Sequence, residues 1–276
     1  MSQVALSPLG KNTTYSDIYN PSLLHPIDRI LYHHQDSIFG YDLWHLYELS
    51  WLNSNGIPQV AIGNILYNSN SPKLIESKSL KLYLNSFNNS RFSHIEDVIE
   101  IIKNDLCNIL ETQVWVKIFD LNNIESNIIF PNGLSIDNCS IEIDKFDFDM
   151  RHKYLSQAIV GNTIISEKLY SNLLRSNCPI TNQPDWGTII IEYIGCKLSH
   201  EKLLGYILSY RMHNDFHEDC IEKIYIELLE YCKLEQLTVY AKYTRRGGID
   251  INPYRSSRMD FDPEIIVSSI DRFIRQ

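Results

Sequence analysis

The chain reads as an α+β protein made of two tandem copies of one unit, each a set of antiparallel strands with paired helices on one face. Three observations predict this. A strand, helix, helix, strand order occurs twice. Residues recur at a spacing of about 125, with Ser86-Phe87 opposite Ser209-Tyr210 and Phe92 opposite Phe216. Val114-Trp115 with Lys117 likewise lies opposite Val239-Tyr240 with Lys242, a period far longer than that of solenoid repeats. Third, no two glycines are separated by a single residue and none is followed five places later by Gly-Lys. A dinucleotide-binding Gly-rich turn and a P-loop are therefore excluded. Paired helices on one face of an antiparallel sheet are a layer solution open to such a pattern. The units are expected to divide as residues 1–150 and 151–276, with a site where they meet.

Residues 1–57 read as irregular apart from a short helix over 42–53, where Leu43, Leu46, Tyr47 and residues 49–51 have helical spacing and Asn55-Gly56 stops it. His45 is read as a packing residue, His33 and His34 as solvated loop residues. Residues 58–67 form a strand. In residues 74–87, Glu76, Lys78 and Lys81 interleave with Leu74, Leu80, Leu82 and Leu84, so a helix is expected from Ser79 onward, its charged face either solvated or functional. Residues 93–110 form an amphipathic helix. Ser93 or His94 caps it, Glu96 and Asp97 suit its positive end, and Ile95, Val98, Ile101, Ile102, Leu106 and Ile109 make the stripe, with Cys107 in the core. A strand follows at 113–120.

Within 121–156, turns at 131–133 and 137–138 precede an acidic stretch. Its alternation of Ile141, Ile143, Phe146 and Phe148 with acids predicts one or two half-buried strands. Glu142, Asp144, Asp147 and Asp149 are then the wet face of a sheet rather than a metal site. The second half reads as a strand at 187–195, a helix at 199–210 capped by Ser199, a helix at 214–232, a strand at 237–244, a turn at 245–248 and a short segment after it.

A hydrophobic fraction of 44% and a charged fraction of 21% describe an ordinary soluble globular protein. The net charge of -9 excludes a general nucleic-acid binder, so any anion site must be a local basic cluster. Lys78, Lys81, Arg245 and Arg246 with the Gly247-Gly248 backbone are the tools available for one. The first residues lack a secretory pattern and no apolar run is long enough for a bilayer. Six scattered cysteines imply reduced thiols and a cytoplasmic protein.

Residues 177–186 read NCPITNQPDW. Pro179 and Pro184 forbid a regular helix or central strand, which makes this a shaped loop holding Cys178 near Asp185. A thiol beside an acid that moves protons suits covalent catalysis. A buried cysteine in a turn is the other reading, and the loop alone leaves both open. His213, His217 and Cys220 have a spacing that a helix would gather for zinc, yet they supply only three ligands and Glu218 lies beside them. A His-Glu pair that recognises a polar heterocycle or shuttles a proton fits as well.

Taken together, ESKSLKLY at 76–83, NCPITNQPDW at 177–186, and HNDFHE at 213–218 followed by YTRRGGIDINPYR at 243–255 resemble the QueF family. These are the NADPH-dependent 7-cyano-7-deazaguanine reductases of queuosine biosynthesis, a tRNA modification. The resemblance extends to LGK and Thr-Tyr near residues 10–15 and to YELSWLN at 47–53, and is to the long, two-module form. It implies two tandem tunnelling-fold units, a homodimer, a small deazaguanine nitrile as ligand, and no metal, membrane or direct nucleic-acid partner. It further implies that Cys178 adds to the nitrile carbon, that Asp185 supplies protons and that His217 stands at a catalytic position. Glu76 and Glu218 would hold the deazaguanine edge, with Ile75, Ser77 and His217 lining the pocket. Ser77, Lys78, Arg246 and Gly247 fall at NADPH-contact positions, and two NADPH are consumed per nitrile.

The chemistry agrees with those roles. A nitrile accepts hydride poorly, whereas the thioimide made by a cysteine is far more electrophilic. Burial beside Trp186 would help Asp185 keep a proton near neutral pH. Three other classes stay open: a cysteine hydrolase with an activated water, a zinc-dependent tunnelling-fold cyclohydrolase, and a purine-binding module without catalysis.

Overall fold

The computed structural model describes residues 15–30 and 38–276. His33, His34 and the motif residues before Tyr15 lie outside the described residues. Eight strands form one sheet in the order β5-β3-β2-β11-β10-β9-β8-β7. The first half contributes β2 (Phe39–Leu52), β3 (Pro58–Asn68) and β5 (Val114–Phe119). From the second come β8 (Ile159–Asn177), β9 (Pro184–Leu198), β10 (Leu234–Tyr243) and β11 (Ile249–Ser256), while the two-residue β7 (Leu134–Ser135) runs parallel to β8 at the edge. The other pairings are antiparallel. The halves join where β2 pairs with β11, from Phe39 opposite Ser256 to Leu46 opposite Ile249.

The expected α+β repeat is present in both halves. Between β3 and β5 lie the short β4 (Lys73–Ile75, paired with β1, Pro26–Asp28) and the helices α1 (Ser77–Asn85) and α2 (Ile95–Leu110). A short α3 (Arg151–Ser156) precedes β8, and α4 (His200–Ser209) and α5 (His217–Cys232) stand between β9 and β10. Matching residues do matching work in the two copies. Ser86 Oγ donates to Tyr83 O at 2.6 Å, and Ser209 Oγ to Tyr206 O at 2.6 Å. Tyr83 OH reaches Asp105 on α2 at 2.6 Å, as Tyr206 OH reaches Glu227 on α5 at 2.7 Å. Each helix pair covers its own core, one around Trp44, Ile65, Leu80 and Leu106, the other around Ile191, Leu203, Ile221 and Val239.

Two expectations are corrected. Residues 42–52 of the expected helix are strand. The spacing of three between Leu46 and Leu49 that looked helical is a β-bulge, since Leu46 pairs with Gly63 and Leu49 with Ala61; one extra residue on β2 resets its faces. Both faces of β2 are also covered, so no polar alternation marks it. The acidic stretch is not strand either. Residues 141–150 run irregularly into a 3₁₀ turn at Phe148–Met150 whose Asp147 caps it, while Ile141, Ile143 and Phe148 pack on the second core and the acids point outward. Burial alternates at Ile141 and Ile143, but Phe146 is exposed and no ladder partner is present among the described residues.

The far face of the sheet carries the C-terminal segment. Helix α6 (Pro263–Val267) packs near Tyr41, Leu43 and Leu66. Beyond it, Asn64 Nδ2 donates to Val267 O and Ser269 O, Lys242 Nζ donates to Asp271 O, and β12 (Arg272–Phe273) pairs with β6 (Ile128–Ile129). No described helix is long and apolar enough to cross a membrane.

Candidate active site

The proline-bracketed segment is the tip of the β8–β9 hairpin. Asn177 pairs with Pro184 and Ser176 with Asp185, leaving residues 178–183 as the turn. The loop is thus shorter than expected. Pro184 is tolerated because it is the first residue of its strand, and Asp185 and Trp186 already belong to β9. Cys178 N donates to Gln183 O at 2.8 Å and Asn182 N to Cys178 O at 3.0 Å, closing the turn through Asn182 at a φ of 55°. Asn214 reaches across to steady it, its Nδ2 2.8 Å from Asn182 Oδ1 and 3.4 Å from Cys178 O.

Strand alternation then separates Asp185 from Trp186. Trp186 has two guanidinium groups near its ring, that of Arg175 at 5.3 Å and that of Arg211 at 5.1 Å. Asp185 points the other way, where Arg246 Nη2 lies 2.6 Å from Oδ1 and His217 Nε2 lies 3.8 Å from Oδ2. The surroundings that set the chemistry of Asp185 are therefore His217 and Arg246 rather than Trp186. Burial lowers the pKa of His217, against the opposing pull of Asp185, so the ring is neutral near pH 7. Its edge-on packing against Tyr243, with ring centres 4.0 Å apart, fixes its orientation.

Glu218 follows His217 in the first turn of α5 and is 2% exposed. Burial, reinforced by the nearby Asp42, pushes its carboxyl up to about 8. Glu76 is placed differently. It is the N-cap of α1, accepting from Lys78 N at 2.7 Å and Ser79 N at 2.8 Å. Burial raises its pKa, offset in part by those two bonds.

These elements converge on a cavity of about 240 Å³ at the junction of the two halves. Cys178, Asp185, His217, Glu218, Ile75, Ser77, Lys78, Arg246 and Gly247 line it together. Of the expected site residues, Glu76 alone does not reach its wall. Residues that sequence reasoning did not assign also do, among them Trp44, Asp215, Phe216 and Asp250. Asp215 and Phe216 stood inside the quoted HNDFHE motif and were legible there, whereas Trp44 and Asp250 arrive only through the β2–β11 pairing. Arg245 lies instead over the Tyr47 ring at 3.4 Å.

The zinc reading loses its ligand set. His213 precedes α5 and stacks on Phe148 at 3.7 Å, His217 faces Asp185, and Cys220 is fully buried with its thiol pushed up to about 12. Among the described residues no three metal-ligating side chains gather. The donor set does fit an anionic dinucleotide. Lys78, Lys81 and Arg246 line the cavity, although Lys81 also pairs with Glu48. Gly247 has a φ of 61° with nothing within 4 Å of where a Cβ would stand, which leaves its backbone open to a flat or phosphorylated ligand.

A family model described as nitrile reductase, 7-cyano-7-deazaguanine-reductase N-term, matches residues 15–118, and one described as QueF-like protein matches residues 184–260. Among solved structures, the apo archaeosine synthase QueF-Like is similar at 20% identity and a TM-score of 0.30, over 35% of this chain and 95% of that one. Both halves of the chain thus carry the family's marks in the family's order: the chain belongs to the QueF family of nitrile reductases, in its long, two-module form.

Proposed function

We propose that the protein reduces the nitrile of 7-cyano-7-deazaguanine to the primary amine with NADPH, through a thioimide on Cys178. The observation that carries this reading is the meeting of Cys178, Asp185, His217 and Glu218 on one cavity at the junction. The Cys178 sulfur forms the new bond to the nitrile carbon while its proton passes to the Asp185 carboxylate and from there to the nitrile nitrogen. His217, neutral and 3.8 Å from Asp185 Oδ2, would relay protons to that carboxylate for the two reductions that follow. Glu218 faces the guanine-like edge, whose amino and ring N–H groups a carboxylate can accept together.

Lys78, Arg246 and the Gly247 backbone would hold NADPH, with Ser77 beside them. When bound it supplies hydride, one for each C=N reduction and so two per nitrile. Cys178 must depart between the two, releasing an imine that water would hydrolyse. Trp44, Ile75, Phe216, Ile249 and Ile251 form apolar walls that keep water from it. We read the working assembly as a homodimer.

Mixing the protein with 7-cyano-7-deazaguanine in the absence of reductant tests the reading. Intact mass should rise by the mass of the nitrile in wild type and stay unchanged in Cys178→Ala. A wild-type protein that gains no mass, and forms no amine when NADPH is added, removes it.

A further inference from the structure

The turn that carries Cys178 is held on both sides by the segment entering α5. Asn177 N donates to His213 O at 2.8 Å, Asp215 N donates to Asn177 O at 3.1 Å, and Asn214 grips Cys178 O and Asn182 as described. Wherever residues 213–215 go, the thiol follows. That segment is in turn fixed by charge. His213 Nε2 lies 3.0 Å from Asp215 Oδ2, Lys223 Nζ from α5 donates to the same oxygen at 2.8 Å, and Lys223 lies 2.9 Å from His213 Nε2. Burial would raise the Asp215 pKa, but the His213 hydrogen bond and the Lys223 charge outweigh it and hold the carboxyl below its ordinary range. The His213 ring is clamped face to face against Phe148, 3.7 Å between centres and 7° from parallel. Phe148 comes from the irregular 141–150 stretch, which packs on the second core but has no part in the reaction as described.

We infer that His213, Asp215 and Lys223 are positioning residues that set the reach of the Cys178 thiol to its electrophile, with Phe148 as their outer wall. The inference rests on Cys178 being the nucleophile. A displacement of about 1 Å at a reacting atom costs up to about a hundredfold in rate, and the cluster acts on the turn's backbone, so its loss shifts bond formation more than recognition. Asp215 also lines the cavity, which makes Lys223 the cleaner handle.

The test measures the rate of the 7-cyano-7-deazaguanine adduct without NADPH, and the noncovalent Kd of the same compound in a Cys178→Ala background. Lys223→Met is expected to slow the adduct about tenfold or more while Kd moves by less than about twofold, and Lys223→Arg should recover most of the rate. An adduct as fast in Lys223→Met as in wild type overturns the inference, and so does a loss of rate matched by an equal loss of affinity. Absence of any wild-type adduct strikes the nitrile reading instead. The cluster is then tested by alkylation of Cys178 with iodoacetamide, which needs no nitrile and whose rate should change in Lys223→Met and stay unchanged if the inference is wrong. Should Lys223→Met fail to fold, Phe148→Leu leaves His213, Asp215 and Lys223 in place. It should slow the adduct in the same direction, and an unchanged rate there counts against the inference.

Discussion

Glu218 shows how a recognition residue can be held at a cost to the folded state. Its carboxyl sits near 8 in the folded chain, raised by burial and by Asp42, against about 4.3 for a free glutamate. Between these values the folded form binds more protons than the unfolded one, so stability is full below the lower value and falls as pH rises through the upper. Glu218→Gln removes that dependence. Its melting temperature should pull ahead of wild type progressively from pH 5 to pH 8, at about 2–4 °C per kcal/mol for a chain of this size, while affinity for 7-cyano-7-deazaguanine drops. A gap that does not grow with pH in thermal scans would mean that Glu218 is not held protonated. Accepting N–H groups from the ligand favours the ionised form, which is how a destabilised carboxyl becomes a discriminating one. This glutamate was legible in the sequence as half of a His-Glu pair; Asp42 behind it, on β2 of the other half, was not.

At the scale of elements, α1 depends on its first residue. Glu76 satisfies two of the backbone N–H groups that a helix start leaves unpaired, and sets negative charge at the helix's positive end. Glu76→Ala should cost about 1–2 kcal/mol in urea unfolding and loosen Ser77 and Lys78, which line the cavity just after it. Asparagine caps well, so Glu76→Asn should restore most of that stability. If it does not, the carboxylate matters for more than the cap, and the ligand Kd of the two variants tells whether substrate is the reason. The helices were readable because their caps and stripes are local: Ser199 accepts from Lys202 N as expected, and α2 starts from His94. The strands were less so. β2 was hidden by its bulge and its two covered faces. The longest strand, β8, drew no expectation, because register shifts at Ile159/Ile164 and Ser171/Leu174 break its alternation. The cavity wall made by Trp44 and Asp250 depends on a pairing between residues some two hundred apart, for which no local pattern exists.

For the whole molecule, the seam between the halves is ionic as well as hydrogen-bonded. Asp42 on β2 lies 2.6 Å from Arg29 Nη2 and 2.8 Å from Arg255 Nη1 on β11, and Arg255 Nε lies 3.1 Å from Glu222 on α5. The side chains of this group are no more than 2% exposed. Burial would push the Asp42 carboxyl up, but Arg255 and Arg29 together hold it below the usual range. Removing one member leaves buried charge unpaired, which typically costs about 3–5 kcal/mol. Asp42→Asn should therefore lower stability by about that amount near neutral pH. The deficit should narrow on acidification, because a carboxyl held below its ordinary pKa stabilises the fold above its unfolded value and ceases to as pH falls through the folded one. With the two cores joined by one continuous sheet and this buried group, calorimetry should show a single unfolding transition for wild type. Two well-separated transitions in wild type would mean that the halves unfold independently. The seam would then be a contact between domains, and a cavity built from both could open without either half unfolding.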